Sequence, residues 1–137
     1  MRGDKIEQVF TYPQPLDLFQ AAAVDFTQRA VHAVEEKGIF TVVLSGGSTP
    51  KNFFDILADV DVPWSRIQFF FGDERYVPAD DEASNYHMAC QHLFSKVPVN
   101  PDYIYRIPTE FQHPKDAAQQ YEKTLRTIFH TEFPRFD

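Results

Sequence analysis

The chain has 137 residues, 43% of them hydrophobic and 14 of them phenylalanine, which is ample for the core of one ordinary domain and argues against disorder. A formal net charge of −7 with no basic stripe weighs against nucleic acid as a partner, although 13 lysines and arginines can still gather around a small anion. The single cysteine, Cys90, excludes an internal disulfide framework and suits a reducing compartment. No long apolar run and no charged-then-apolar leader is present, so neither a membrane span nor a secretory signal is expected, and the expected location is cytoplasmic.

Residues 6–10 read as a short edge strand, interrupted by Pro13 and Pro15. Over residues 16–37, Phe19, Ala22, Ala23, Phe26, Ala30, Ala33 and Val34 recur at helical spacing, and Gly38 ends that helix. His32 lies between apolar neighbours and reads as structural. Phe40-Thr41-Val42-Val43-Leu44 then reads as a strand buried on both faces, which favours a parallel sheet.

The stretch that follows, Ser45-Gly46-Gly47-Ser48-Thr49-Pro50, is the most informative in the chain. Two glycines supply a tight turn that lets a ligand approach the backbone. Ser48 or Thr49 can cap a helix beginning at Pro50, where the missing N–H costs nothing. Free N–H groups and a helix dipole then converge on one point, and the natural occupant is a phosphate. Taken alone, the turn is read equally well as an ordinary strand-to-helix connection. It is neither G-x-x-x-x-G-K-[ST] nor G-x-G-x-x-G, so a small phosphorylated ligand fits better than a nucleotide.

Phe53, Phe54 and Leu57 give the next helix its core face; residues 59–63 close it, and Trp64 packs in the loop. A second buried strand over residues 67–71 runs into Gly72-Asp73-Glu74-Arg75-Tyr76-Val77-Pro78. A helix from Ser84 presents Tyr86, Cys90, Leu93, Phe94 and Val97; residues 103–107 read as a third strand. Residues 114–129 form a helix with Ala117, Ala118, Tyr121, Leu125 and Ile128 inward. With no repeat or linker, residues 1–137 read as a single α/β domain. Alternating strands and helices imply a mostly parallel sheet covered on both sides, a three-layer αβα arrangement. Ligands of such folds sit beyond the carboxyl ends of the strands, where both motifs fall.

Arg75 can clamp a phosphate or carboxylate through its planar fork, and Asp73 can accept from sugar hydroxyls or hold Arg75. The plain alternative is an exposed loop in which Arg75 pairs with Asp73 or Glu74. Asp80, Asp81 and Glu82 read as solvated. His87 and His92, five apart, lack the partners of a zinc site. No nucleophile–base pair is evident, and Cys90 falls on a core face.

Leu44-Ser45-Gly46-Gly47-Ser48-Thr49-Pro50, then Phe71-Gly72-Asp73-Glu74-Arg75-Tyr76-Val77-Pro78, then Asp81 with Ser84-Asn85-Tyr86, and later Ala117-Ala118 with Tyr121-Glu122, together resemble the 6-phosphogluconolactonase family. The resemblance covers nearly the whole chain. It implies a Rossmann-like fold and hydrolysis of 6-phosphoglucono-1,5-lactone to 6-phosphogluconate, with no metal or organic cofactor. Ser45, Gly46, Gly47, Ser48, Thr49 and Arg75 would hold the phosphorylated lactone, with Asp73 in the catalytic site. The related glucosamine-6-phosphate deaminases share the Gly-Ser-Thr-Pro turn but carry a different acidic segment. A non-catalytic sugar-phosphate binder is the alternative of another class.

The resemblance also implies a longer protein. Family members continue into a further strand and a G-x-G-x-D-G-H motif whose histidine activates water. None of His32, His87, His92, His113 or His130 stands in that context, so the expected reading is a domain cut short before its later strands. The next strand would pair with residues 40–44, whose edge is otherwise open. His113 stands where an Asp or Asn cap is expected before Pro114, which weakens that cap.

Overall fold

The computed structural model describes residues 8–137. In chain order they form α1 (Pro15–Lys37), β1 (Phe40–Leu44), α2 (Ser48–Leu57), a 3-10 turn (Trp64–Arg66), β2 (Ile67–Phe71), α3 (Asn85–Ala89) running into a π-helical turn (Cys90–Phe94), a second 3-10 turn (Pro101–Tyr103) and α4 (Pro114–Phe129). α1 buries Ala23, Phe26, Ala30 and Ala33 on one stripe and stops at Gly38. That glycine adopts φ 80° and returns its N–H to the Val34 carbonyl at 2.9 Å.

β1 and β2 pair in parallel, Phe40 opposite Ile67 through to Leu44 opposite Phe71. Successive residues of β2 point to opposite faces, and both faces are covered. Phe69 meets Trp64 and Phe94 on the side of α1 and α2; Phe70 meets Tyr105, Phe129 and Phe136 on the side of α4. Neither phenylalanine has any solvent exposure. Helices on both faces of a parallel pair give the α/β layering that the alternation predicts.

Several expectations need correction. Residues 6 and 7 of the first strand lie outside the described residues, and residues 8–10 are exposed without strand pairing. The third strand shrinks to one parallel bridge between Phe69 and Ile104, with the Tyr105 N–H bonded to the Phe69 carbonyl at 2.9 Å. The physical reason is the next rung: the Phe71 N–H donates to the Tyr121 hydroxyl at 3.0 Å, and that hydroxyl donates to the Tyr105 carbonyl at 2.8 Å. A side chain from α4 thus stands where strand pairing would continue. Val42 and Val43 are half-buried rather than enclosed, Ala118 is exposed, and His32 is exposed beside Glu36 at 3.4 Å. The helix from Ser84 changes pitch midway, with the Ser95 N–H reaching the Cys90 carbonyl; this keeps Leu93, Phe94 and Val97 in the core.

After α4 the chain returns to β1. The Asp137 carboxylate accepts from the Thr41 N–H at 2.9 Å and the Thr41 hydroxyl at 2.8 Å, while the Asp137 N–H donates to the Thr41 carbonyl at 3.3 Å. Lys37 reaches the other carboxylate oxygen at 2.5 Å.

Burial pushes the Tyr121 phenol up to about 12 from the usual 10, with the Phe71 N–H pulling the other way. A folded value above the unfolded one means that the contribution is complete below pH 10 and is lost as pH rises towards 12. Tyr121→Phe orphans a buried N–H and a carbonyl, so it is expected to cost about 1–3 kcal/mol in urea unfolding at pH 8. The advantage of wild type over Tyr121→Phe should shrink by about 2 kcal/mol between pH 10 and 12; a constant difference would contradict the assignment.

Candidate active site

The register of the two strands decides where the site lies. Leu44 and Phe71 finish side by side, and the Gly72 N–H bonds the Leu44 carbonyl at 3.0 Å. Ser45 and Gly72 therefore open two adjacent loops at the carboxyl edge of the sheet.

On the first loop, α2 starts two residues earlier than the sequence suggests. Gly47 occupies the cap position at φ 104°, a conformation that favours glycine, and no side chain caps the helix. Ser48 and Thr49 lie inside the first turn instead of capping it. Among the described residues, the N–H groups of Gly46, Gly47, Ser48 and Thr49 meet no acceptor, and the first turn holds no acidic residue. Ser45, Gly47, Ser48 and Thr49 are exposed. An uncapped start with free donors and the positive end of the dipole is chemically suited to a phosphate.

On the second loop, Glu74 is tied down completely. Its carboxylate accepts from the backbone N–H groups of Arg75 at 2.8 Å, Asn85 at 2.7 Å and Tyr86 at 3.0 Å, and from the Ser84 hydroxyl at 3.2 Å. It closes the loop onto the start of α3, where Ser84 also caps the His87 N–H. Asn85 is buried, and its amide donates to the Asp73 carbonyl at 3.1 Å and to the Asp73 carboxylate at 3.4 Å. The same carboxamide lies against Gly46, where an added Cβ would stand 2.0 Å from Oδ1. Asn85 thus joins the two loops.

Asp73 and Arg75 are exposed at this edge. The Arg75 guanidinium donates to the Ala83 carbonyl at 3.0 Å and makes no ion pair with Asp73 or Glu74 among the described residues. The plain alternative, a surface ion pair, is absent, and part of its fork remains available. The acidic run gives Asp81 a local task, accepting the Ala83 N–H at 2.8 Å.

Elsewhere, His92 and Lys96 both bond Asp55, at 2.8 and 2.9 Å, holding the π-helical turn to α2. Lys96 and then His92 keep the Asp55 carboxyl below its usual range. Burial pushes the Cys90 thiol up, against a weaker pull from Tyr86, as suits a packed and unreactive sulfur. No cluster of three metal-binding side chains occurs among the described residues, and none of their helices is long and apolar enough to cross a membrane. Sequence reasoning missed the roles of Glu74 and Asn85; the one signal was their place inside the quoted Asp-Glu-Arg and Ser-Asn-Tyr runs.

Fold and site together define an α/β protein with a glycine turn and an uncapped helix start at the carboxyl edge of a parallel sheet. Residues 13–137 match the profile of the family described as glucosamine-6-phosphate isomerases/6-phosphogluconolactonase, and the chain belongs to that family. It is 41% identical over 123 residues to 6-phosphogluconolactonase of Synechocystis, covering 88% of this chain and 51% of the relative. The 6-phosphogluconolactonase of Thermotoga maritima is 35% identical over 115 residues, covering 80% and 52%. Its crystal structure superposes with a TM-score of 0.77 at 31% identity, over 87% of this chain and 52% of that one. The Trypanosoma cruzi 6-phosphogluconolactonase gives a TM-score of 0.80 at 29% identity, over 95% and 56%. A monomeric glucosamine-6-phosphate deaminase, at 17% identity and a TM-score of 0.79, shares the fold. The chain spans about half the length of the curated relatives it matches.

Gly46→Ala must displace Asn85, and we expect a cost of about 1–3 kcal/mol from this overpacking. Shortening the obstacle with Asn85→Ser should relieve it. A double-mutant cycle by urea unfolding should therefore return a coupling of about 0.5–3 kcal/mol; strictly additive effects would contradict the contact.

Proposed function

We propose that this chain forms the substrate-holding part of a cytoplasmic enzyme that hydrolyses 6-phosphoglucono-1,5-lactone to 6-phosphogluconate. Residues 1–137 then act as one α/β unit, incomplete relative to the family. The observation that carries the reading is the uncapped start of α2 at Gly47, set beside Asp73 and Arg75 on the same sheet edge. The named relatives, lactonases at 35–41% identity, support it, and the one cysteine suits a reducing compartment.

In the reaction, water adds to the lactone carbonyl carbon, the bond from that carbon to the ring oxygen breaks, and the ring oxygen leaves as a hydroxyl after taking a proton. The free N–H groups from Gly46 to Thr49 and the Arg75 fork bind the phosphate remote from the reacting carbon. Such remote binding fixes the position of that carbon, which is how it lowers the barrier. Asp73 accepts hydrogen bonds from sugar hydroxyls and orients the ring. By resemblance, the water-activating histidine belongs to the G-x-G-x-D-G-H motif, which is not in this sequence; the residues here bind and orient.

The full-length protein should accelerate lactone opening over the spontaneous rate, and a rate no faster than spontaneous rejects the reading. Because the matched family also covers the isomerases, ammonia release from glucosamine 6-phosphate would assign that activity instead. Arg75→Ala should weaken 6-phosphogluconate binding about tenfold or more, the size expected for a charge-assisted bond. Arg75→Lys should recover only part of the loss, because an ammonium lacks the bidentate fork. Calorimetric titration reads both, and unchanged affinity in Arg75→Ala removes the clamp.

A further inference from the structure

We propose that Asn85 is a positioning residue for Asp73, holding its carboxylate in register with the glycine turn; the inference rests on the lactonase reading above. Asn85 is 2% exposed and follows Ser84, which already caps α3, so the helix start does not need the Asn85 side chain. The carboxamide nevertheless makes three specific contacts. Nδ2 donates to both the carbonyl and the carboxylate of Asp73, and the carboxamide lies against Gly46, Oδ1 nearest. The Asn85 backbone is fixed independently by its N–H to Glu74 at 2.7 Å, so the carboxamide hangs from an anchored point.

This geometry asks for an asparagine in particular. The NH2 group carries two hydrogens and serves two oxygens of Asp73 at once. An aspartate of the same shape offers only acceptors and would set a second negative charge against Asp73. A larger side chain would meet Gly46. Without the amide, the Asp73 carboxylate keeps its place in sequence but loses its aim at a substrate hydroxyl, and a small misplacement at such a group is costly in rate. Phosphate binding belongs to other atoms, the N–H groups of the turn and the Arg75 fork, and the hydrogen bonds of the Asn85 amide go to neither but to Asp73.

The test is a double-mutant cycle on kcat/KM in the full-length protein, using Asn85→Ala, Asp73→Asn and the pair, with inorganic phosphate binding measured alongside. Asn85→Ala should lower kcat/KM tenfold or more. In the Asp73→Asn background the same change should lower it by no more than about twofold, because its target is already altered. Binding of inorganic phosphate should stay within about twofold of wild type. Asn85→Asp, which keeps the volume and removes the donor, should fall at least as far as Asn85→Ala. If Asn85→Ala fails to fold, Asn85→Ser enters the same cycle. Losses that multiply across the cycle, phosphate binding lost together with activity, or an Asn85→Asp variant as active as wild type would each overturn the inference. An inactive wild type rejects the lactonase reading itself and this role with it.

Discussion

The parallel pairing of β1 with β2 is the constraint on which everything else depends. Five residues lie against five in register, and both strands finish at the same level. One residue of slip would turn the faces of β2 over, sending Phe69 and Phe70 to the wrong layers. It would also stagger the two loops, so that Gly46 no longer met Asn85. The core that holds this register is aromatic on both sides, with Phe26, Trp64, Phe69 and Phe94 in contact beneath α1 and α2, and Phe70, Tyr105, Phe129 and Phe136 in contact beneath α4. The precision of the site is thus inherited from packing well below it.

Among the described residues, side chains meet backbone groups on the outer side of each strand. At β2 the Tyr121 hydroxyl receives one backbone N–H and gives its proton to one backbone carbonyl, so its orientation is settled by its neighbours. At β1 the Asp137 carboxylate takes the Thr41 N–H and hydroxyl. Burial pushes the Asp137 carboxyl up, but the bonds from Lys37 and Thr41 outweigh this and leave it below its usual range. A buried N–H needs a partner, and a hydroxyl or a carboxylate meets that need where no neighbouring strand does.

Much of this was legible in the residues themselves. Largely apolar or β-branched runs marked Phe40–Leu44 and Ile67–Phe71 with their observed limits, and α1, read one residue short at its start, and α4 followed from helical spacing. What could not be read was set by partners distant in the chain. The residues around Ile104 look like a strand, but the Tyr121 hydroxyl occupies the next rung, and no local pattern in residues 103–107 announces it. Ser48 and Thr49 look like caps because Pro50 follows them, yet Gly47 reaches a conformation that lets the helix begin sooner. Asp73 and Arg75 were singled out for their chemistry. Glu74 and Asn85 escaped because their importance lies in contacts across 11 or 12 residues and back to Gly46.

The contact between Thr41 and Asp137 also bears on the order in which the molecule assembles. It closes a loop of 96 residues, whereas Asp55 meets His92 across 37 and Glu74 meets Asn85 across 11. Loop-closure entropy makes the longest of these about 0.8 kcal/mol dearer than the 37-residue link before any contact rewards it. Every residue that joins the two strand-end loops has left the ribosome once Asn85 has, so local closure and the direction of synthesis favour the same sequence of events. The pocket edge takes shape first, on short loops, and the contact between Thr41 and Asp137 forms after it.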